Sequence, residues 1–381
     1  MDKSKWEYKK LTDVCSILYG YPFDSKCFND NEQGRPLIRI RDVVRGFTET
    51  YTTEKCPDEY IISEGDLLIG MDGEFNISAW KSVPALLNQR VCKIKADDKN
   101  IIDGFMYYLM KTKLKEIESE TAFVTVKHLS AKVLNKVNVQ LPSIADQQRI
   151  VAELDCLNEM IALKQEQLKE FDKLARSIFY DMFGDPITNS KNWSTIKLEK
   201  ITKAEGGGTP SKGNPDYWDG DVVWVTSKDM KQMYISDSQI HITEEGLNNS
   251  SAHILPKGTI LLVNRSGILK HTLPLAITTR EVSINQDLKA LTIKDKRFIS
   301  IYILYALKAF APYLLSKVKA VTVDSIEFSV FKNLDIPLAH LDLQQEFAEK
   351  IQAIEAQKEL VKKSIAETQQ LLDSRMDYYF D

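Results

Sequence analysis

Two kinds of hydrophobic pattern alternate along the chain. Residues 1–145 and 185–340 carry short apolar runs, such as PLIRI from Pro36, DLLIG from Asp66, VVWV from Val222 and TILLV from Thr259. Clusters of Gly, Pro and Asn break these runs, so they read as strands. A different period starts at Ile150. Apolar residues there step by four and three through Leu154, Leu157, Ile161, Leu168, Phe171, Ala175, Ile178 and Met182, and Lys164 interrupts the row. Phe347, Ile351, Ile354, Val361, Ile365 and Leu372 repeat the stepping, interrupted by Lys358 and Thr368. A seam of this kind predicts two long helices that pair as a coiled coil. Two amphipathic helices packed on separate globules would show a similar pattern, and that alternative stays open. A helix over 146–182 spans about 55 Å at about 1.5 Å per residue. Gly184 and Pro186 then end it.

The two patterns form an internal repeat. Val124-Thr125-Val126 matches Val321-Thr322-Val323, Asn88-Gln89 matches Asn285-Gln286, and Gln147-Gln148 matches Gln344-Gln345, all 197 residues apart. Gly65 pairs with Gly258 at 193, and both Asp42 with Asp229 and Trp6 with Trp193 at 187. The order holds while the offset rises, so the second copy carries small insertions. The predicted fold is α+β: two mixed α/β domains in tandem, 1–145 and 185–340, separated by helices at 146–184 and 341–381. The first helix leads into the second domain and the second follows it. An antiparallel pair therefore predicts one globule at each end of a rod.

Net charge is −4 over 381 residues, which argues mildly against a nucleic-acid binder until the charge is divided. Residues 1–145 are neutral overall and 190–340 carry net +4, whereas 146–189 and 341–381 carry net −4 each. The acidity sits on the helices, and the globules are free to meet DNA. Cys15, Cys27, Cys56, Cys92 and Cys156 form no C-x-x-C pair, which fits free thiols in a reducing cytoplasm. The five histidines lie far from cysteines at zinc-ligand spacing, so no metal site is expected. Phe298–Leu315 (FISIYILYALKAFAPYLL) is nearly long enough to span a bilayer, but its counterpart FMYYLMKTKLKEIESE is heavily charged. It reads as a buried helix, with no membrane association.

Several stretches carry a family resemblance: LPSIADQQRI and PLAHLDLQQ each running into a long helix, LARSIFYDMFGDP after the first helix, and GGGTPSKGNPDYWDGDVVWVTSKDM opening the second globule. In this order, across nearly the whole chain, the sequence resembles the specificity subunits of type I restriction-modification systems. The resemblance implies that each globule is a target-recognition domain reading one half of a split site on double-stranded DNA. It implies that the coiled coil sets the gap and docks two adenine methyltransferase subunits, which bind S-adenosylmethionine. Restriction subunits, where present, would bring ATP- and Mg-dependent translocation and cleavage. The chain itself would hold no cofactor and no catalytic site.

DNA reading needs polar side chains at base edges, held in place by phosphate contacts. The first candidates lie in the loop after each EGDLLIG-like strand: Gly73 in copy one, and Arg265, Ser266 and Lys270 in copy two. Asp72 stands where copy two has its arginine, and an ordinary hairpin turn is the competing account. Arg39-Ile40-Arg41-Asp42 is matched by Thr226-Ser227-Lys228-Asp229, which puts Arg39, Arg41, Ser227 and Lys228 beside an aspartate that could equally cap a helix. Arg90 follows Asn88-Gln89. Because those amides recur in both copies, they suit structure or phosphate better than base reading. Lys81, Lys127 and Lys212 complete the set.

Gly206-Gly207-Gly208-Thr209-Pro210-Ser211-Lys212 lacks the G-x-x-x-x-G-K-[ST] spacing of a nucleotide loop. Asn214-Pro215-Asp216-Tyr217 lacks the second proline of a methyltransferase tetrapeptide. Two other functions compete with DNA reading: a self-contained DNA-modifying enzyme, and a coiled-coil scaffold that binds no DNA.

Overall fold

The computed structural model describes residues 3–97, 99–120, 128–320 and 323–380. The chain divides into two compact units, Met1–Gln165 with Lys363–Asp381, and Glu166–Lys362. The helices of the first copy are α1 (Ile40–Arg45), α2 (Asp103–Glu120), α3 (Ala131–Leu134) and α4 (Ile144–Phe183). Those of the second are α5 (Leu198–Ile201), α6 (Glu244–Asn248), α7 (Ser300–Leu315), α8 (Phe328–Lys332) and α9 (Leu341–Phe380).

The first unit holds an antiparallel sheet in the order Cys15–Tyr19, Val91–Ala96, Leu67–Gly70, Ile77–Ala79. The second unit repeats that order with Thr202–Gly206, Leu288–Ile293, Ile260–Val263 and Leu275–Thr278, and adds Tyr234–Ile235 in parallel at the edge. Short ribbons recur as well, Glu7–Lys10 on Asn138–Leu141 and Thr195–Lys197 on Asp335–Pro337. The sequence repeat is therefore a repeat of strand pairing. Each sheet buries its apolar face against the domain helix, α2 through Phe105, Met106 and Leu109, and α7 through Tyr302, Ile303 and Leu307. Ten residues of α7 are buried, as expected of FISIYILYALKAFAPYLL, and among the described residues no helix is long and apolar enough to cross a membrane.

The Gln-Gln motifs are explained by burial. Gln147 has no exposed surface; its Nε2 donates to the carbonyls of Asn100 (2.7 Å) and Pro142 (3.0 Å), and its Oε1 accepts from Ile102 N–H (3.0 Å). Gln344 repeats the pattern with Arg297 O and Ala339 O (both 2.9 Å) and Ile299 N–H (3.1 Å). One amide thus ties the long helix to the loop that opens the domain helix.

The long helix α4 begins at Ile144, two residues before the predicted start at 146. Ser143 precedes it, and its Oγ accepts from Asp146 N–H as an N-cap does. At its end Gly184 turns left-handed (φ +77°) and donates to Tyr180 O, as a terminating glycine should. The two long helices run antiparallel within each unit. In the first, Glu153 meets Tyr379 and Arg375, and Lys164 meets Thr368. In the second, Asp172 meets Lys358, and Phe183 meets Phe347. Of the seam residues, Ile150, Leu154, Leu157, Ile161, Ile351, Ile354 and Leu372 are buried. Leu168, Val361 and Ile365 are partly buried.

Candidate nucleic-acid interface

In the first unit Gly70 ends the strand Leu67–Gly70, and an added Cβ there would stand 3.1 Å from Ile40 Cγ1 of α1. That close approach places the loop 71–76 beside α1. Met71 N–H donates to Arg90 O, and Leu129 N–H donates to Met71 O. Asp72 then holds Arg90 at 3.2 Å and His128 Nδ1 at 2.6 Å. Arg90, Gly73 and His128 therefore share one surface, with Asp72 neutralising part of its charge. Gly73 is left-handed (φ +72°), and an added Cβ would meet nothing within 4 Å. Its place is set by the turn, leaving open space above it.

Arg39 and Arg41 lie exposed at the start of α1. Asp42 is fully buried between them and the strand; its Oδ2 accepts from Arg39 N–H (2.9 Å) and from Thr48 Oγ1 (3.0 Å). The aspartate common to both copies is thus a cap; both arginines beside it are exposed, with the Arg41 guanidinium 3.7 Å from the Asp42 carboxylate. Arg41 reaches Thr50 Oγ1 at 3.2 Å. Lys81 is exposed at the other end of α1, where its N–H donates to Gly46 O. Lys127 lies outside the described residues, as do Val124-Thr125-Val126 and Val321-Thr322.

The second unit assembles its candidates the same way with different side chains. Asn264 and Arg265 N–H both donate to Asp287 O, and Ser266 N–H donates to Asp324 O. Arg265 is exposed, and Lys270 lies 3.8 Å from the Asp324 carboxylate. Ser266 Oγ accepts from Ile268 N–H and caps the short turn Gly267–Lys270, so that hydroxyl is partly used by the backbone. Asn285 N–H donates to Val225 O, which brings Thr226, Ser227 and Lys228 to the same turn. Asp229 accepts from Thr226 N–H and Oγ1, both at 2.8 Å, repeating the cap made by Asp42. The Asn285 amide is buried and bonded to Asp287, a structural role in keeping with its recurrence in both copies.

One repeated feature is invisible in a motif search. A Cβ on Gly207 would lie 2.1 Å from Ile284 O, and one on Gly20 would lie 2.0 Å from Asn88 O. The two glycines are 187 residues apart, the offset that also relates Asp42 to Asp229. Each lets the opening loop of its copy lie against the Asn-Gln turn. Thr209 Oγ1 bonds the Gln286 side chain there, and Lys212 is exposed three residues further on. Asp324 is the one acidic neighbour of Lys270 that sequence reading missed; its proximity to Arg265, Ser266 and Lys270 comes from folding alone.

Trp224 is buried and donates Nε1–H to Gly208 O, whereas Trp218 packs edge-on against it and is half-buried. Both are structural. Among the described residues no three His, Cys, Asp or Glu side chains group as metal ligands.

Comparison with known proteins gives one consistent answer. A family model described as type I restriction modification DNA specificity domain matches residues 3–172 and again 190–370. The EcoBI specificity subunit of Escherichia coli is 36% identical over 199 residues, 51% of this chain and 42% of that protein. The EcoR124I/EcoR124II specificity subunit of the same species is 28% identical over 75% of this chain and 71% of its own length. The S subunit from M. genitalium shares the fold over 98% of this chain and 95% of its own, with a TM-score of 0.55 at 12% identity. A chain from a study of complex assembly in the type I R-M system reaches 0.61 at 18% identity, over 98% and 97%.

Proposed function

Because the chain belongs to the type I restriction modification DNA specificity family, with two specificity domains in tandem, we propose that its two globules read the two halves of an interrupted site on double-stranded DNA. The observation that carries this reading is the double construction of one surface. In each copy the loop after the strand that ends at Gly70 or Val263, the Asn-Gln turn and the segment after the Val-Thr-Val motif are tied together by backbone hydrogen bonds. The frame is common, and the side chains on it differ: Asp72, Arg90 and His128 in one copy, Arg265, Asp287 and Ser325 in the other. A common frame with unlike side chains suits reading of two different sequences.

Gly73, Arg90, Arg39, Arg41, Lys81 and Lys127 form the DNA-facing set of the first domain. Lys212, Ser227, Lys228, Arg265, Ser266 and Lys270 form that of the second. The paired long helices set the spacer and dock two methyltransferase subunits. S-adenosylmethionine sits on those partners, as do ATP and Mg on restriction subunits where these are present. The assembly works in the cytoplasm, where the DNA is. Linking two readers raises the effective concentration of the second once the first is bound, so neither needs high affinity alone.

The test is single-molecule mapping of adenine methylation in cells carrying the methyltransferase partner, with and without this chain. A bipartite motif that depends on the chain is the expected result. No change in methylation with both proteins made and co-purifying would sink the reading and favour a scaffold that binds no DNA. Arg265→Ala is expected to relax or weaken one half of the motif only. Loss at both halves, or at neither, would remove Arg265 from the reading set.

A further inference from the structure

The internal repeat allows each position of one domain to be compared with its partner in the other. Features needed by the fold, or by a partner docked twice, should recur. Features present once belong to a task of one copy. One cluster in the second unit stands out by this comparison. Lys203, Lys294, Lys332 and Phe328 line a pocket between the first strand of the sheet, Thr202–Gly206, and α8. Lys289 joins them from the neighbouring strand, its ammonium 6.0 Å from the Phe328 ring centre, with that of Lys332 at 5.7 Å. At the repeat offsets the first copy has Ser16, Cys92, Asp97, Ala131 and Asn135 at these positions, with no base and no aromatic ring.

The positive charge is only partly answered. Glu199 is the one carboxylate among the residues lining the pocket; Lys203 pairs with Glu205 at 2.8 Å, and Lys294 donates to the Glu199 carbonyl. Lys289 and Lys332 have no carboxylate within 4.0 Å among the described residues. Two ammonium groups over one ring repel each other and gain only modestly from the ring itself. An anion would offset that repulsion. The pocket also adjoins the proposed reading surface: Phe328 follows Asp324 and Ser325, which bond Ser266 and Arg265, and Lys289 approaches Gly206 at the start of the glycine loop.

We infer that this pocket binds backbone phosphates of duplex DNA flanking the second half-site, giving the second domain a sequence-independent anchor that the first domain lacks. The inference rests on the DNA-reading function proposed above. Phosphate is the shared chemistry of two sources, duplex DNA and a free nucleotide, and the continuity with the reading surface selects DNA.

The test measures binding of the complex with its methyltransferase partner to a duplex carrying the mapped motif, across a range of salt. Each lost phosphate contact lowers the slope of log K against log salt by about 0.9. Lys289→Ala with Lys332→Ala is therefore expected to reduce the slope by about two and to weaken binding, while the methylated motif stays the same. Lys332→Glu, at an exposed position, gives the same direction should the double variant fold poorly. A duplex cut back to the outer edge of the second half-site should bring the unaltered protein to the level of the variant, and a cut outside the first half-site should not. An unchanged slope in both variants overturns the proposal. So does competition by millimolar ATP or pyrophosphate with the duplex slope unaffected by the substitutions, which would assign the pocket to a free nucleotide. If no motif depends on the chain at all, the reading function fails first and the proposal with it.

Discussion

At the scale of single residues, buried polar groups carry most of the information. Gln147 and Gln344 each satisfy two carbonyls and one N–H in places water does not reach. Gln147→Ala would leave those groups unpaired and create a void, costing roughly 2–4 kcal/mol. Urea unfolding of the first unit should show that loss, and Gln344→Ala the same in the second. The sequence displays the two Gln-Gln pairs clearly, but not their role, because two of the three partners of the first amide in each pair lie some 45 residues upstream. A second case is Lys308, set over the Tyr305 ring at 4.5 Å. Desolvation lowers its ammonium to about 8, opposed by Asp172 and Glu355 and reinforced by Lys358 and Arg176. The unfolded chain holds that proton up to about 10.4. Below pH 8 both states are charged and the full penalty applies. Between there and about pH 10 the unfolded state binds more protons, so stability rises with pH. Lys308→Met should flatten that rise and stabilise the second unit at pH 7 by about 3 kcal/mol, as read from unfolding curves at several pH values.

At the scale of elements, the heptad row predicted both long helices, because a period near 3.5 needs no knowledge of the partner. The interruptions in the row carried a message the pattern alone could not give. Lys164 and Thr368 break it on opposite helices and meet there, Nζ to Oγ1 at 2.8 Å. Lys358 breaks it too and is held by Asp172 and Glu355, both at 2.8 Å. Such pairs fix register, since a shift of either helix would strand an ammonium in an apolar seam. Lys164→Met and Thr368→Val singly should each destabilise the first unit, Thr368→Val more, because it leaves the charge only the Ser364 carbonyl at 3.5 Å. The double variant should recover most of the loss, with a coupling of about 1 kcal/mol in a double-mutant cycle; additive effects would remove the pair from the register argument. The sheets were legible only as runs of strands. Their order, with the last long strand between the first and second, depends on pairings far apart in sequence, and the apolar runs carry no record of them.

At the scale of the whole molecule, the repeat was legible from matched motifs at a slowly rising offset, and the strand order bears it out. The surface proposed to meet DNA was legible only in pieces. Arg265 and Lys270 could be named from their loop, whereas the ties through Asp287 and Asp324 arise where distant segments converge. The repeat also extends to how each unit is closed. Phe183, at the end of α4, packs on Tyr302 of the second unit with ring centres 4.7 Å apart. Phe380, 197 residues on and at the end of α9, packs on Phe105 of the first at 5.2 Å. Phe380→Ala should therefore destabilise the first unit alone by about 3 kcal/mol, and Phe183→Ala the second alone. Hydrogen exchange resolved by segment would separate the two; equal protection loss in both units would contradict the assignment.

That closure sets an order on synthesis. The first globule is translated before the second, yet the helix end that covers Phe105, carrying Leu372, Tyr379 and Phe380, is translated only after the whole of the second globule. The second globule has its closing segment, through Phe183, before its own strands emerge. The half made earliest is thus the half finished last. A prematurely terminated chain would keep an apolar groove open on its first domain, a mark by which the cell's quality-control proteases could tell an incomplete reader from a finished one.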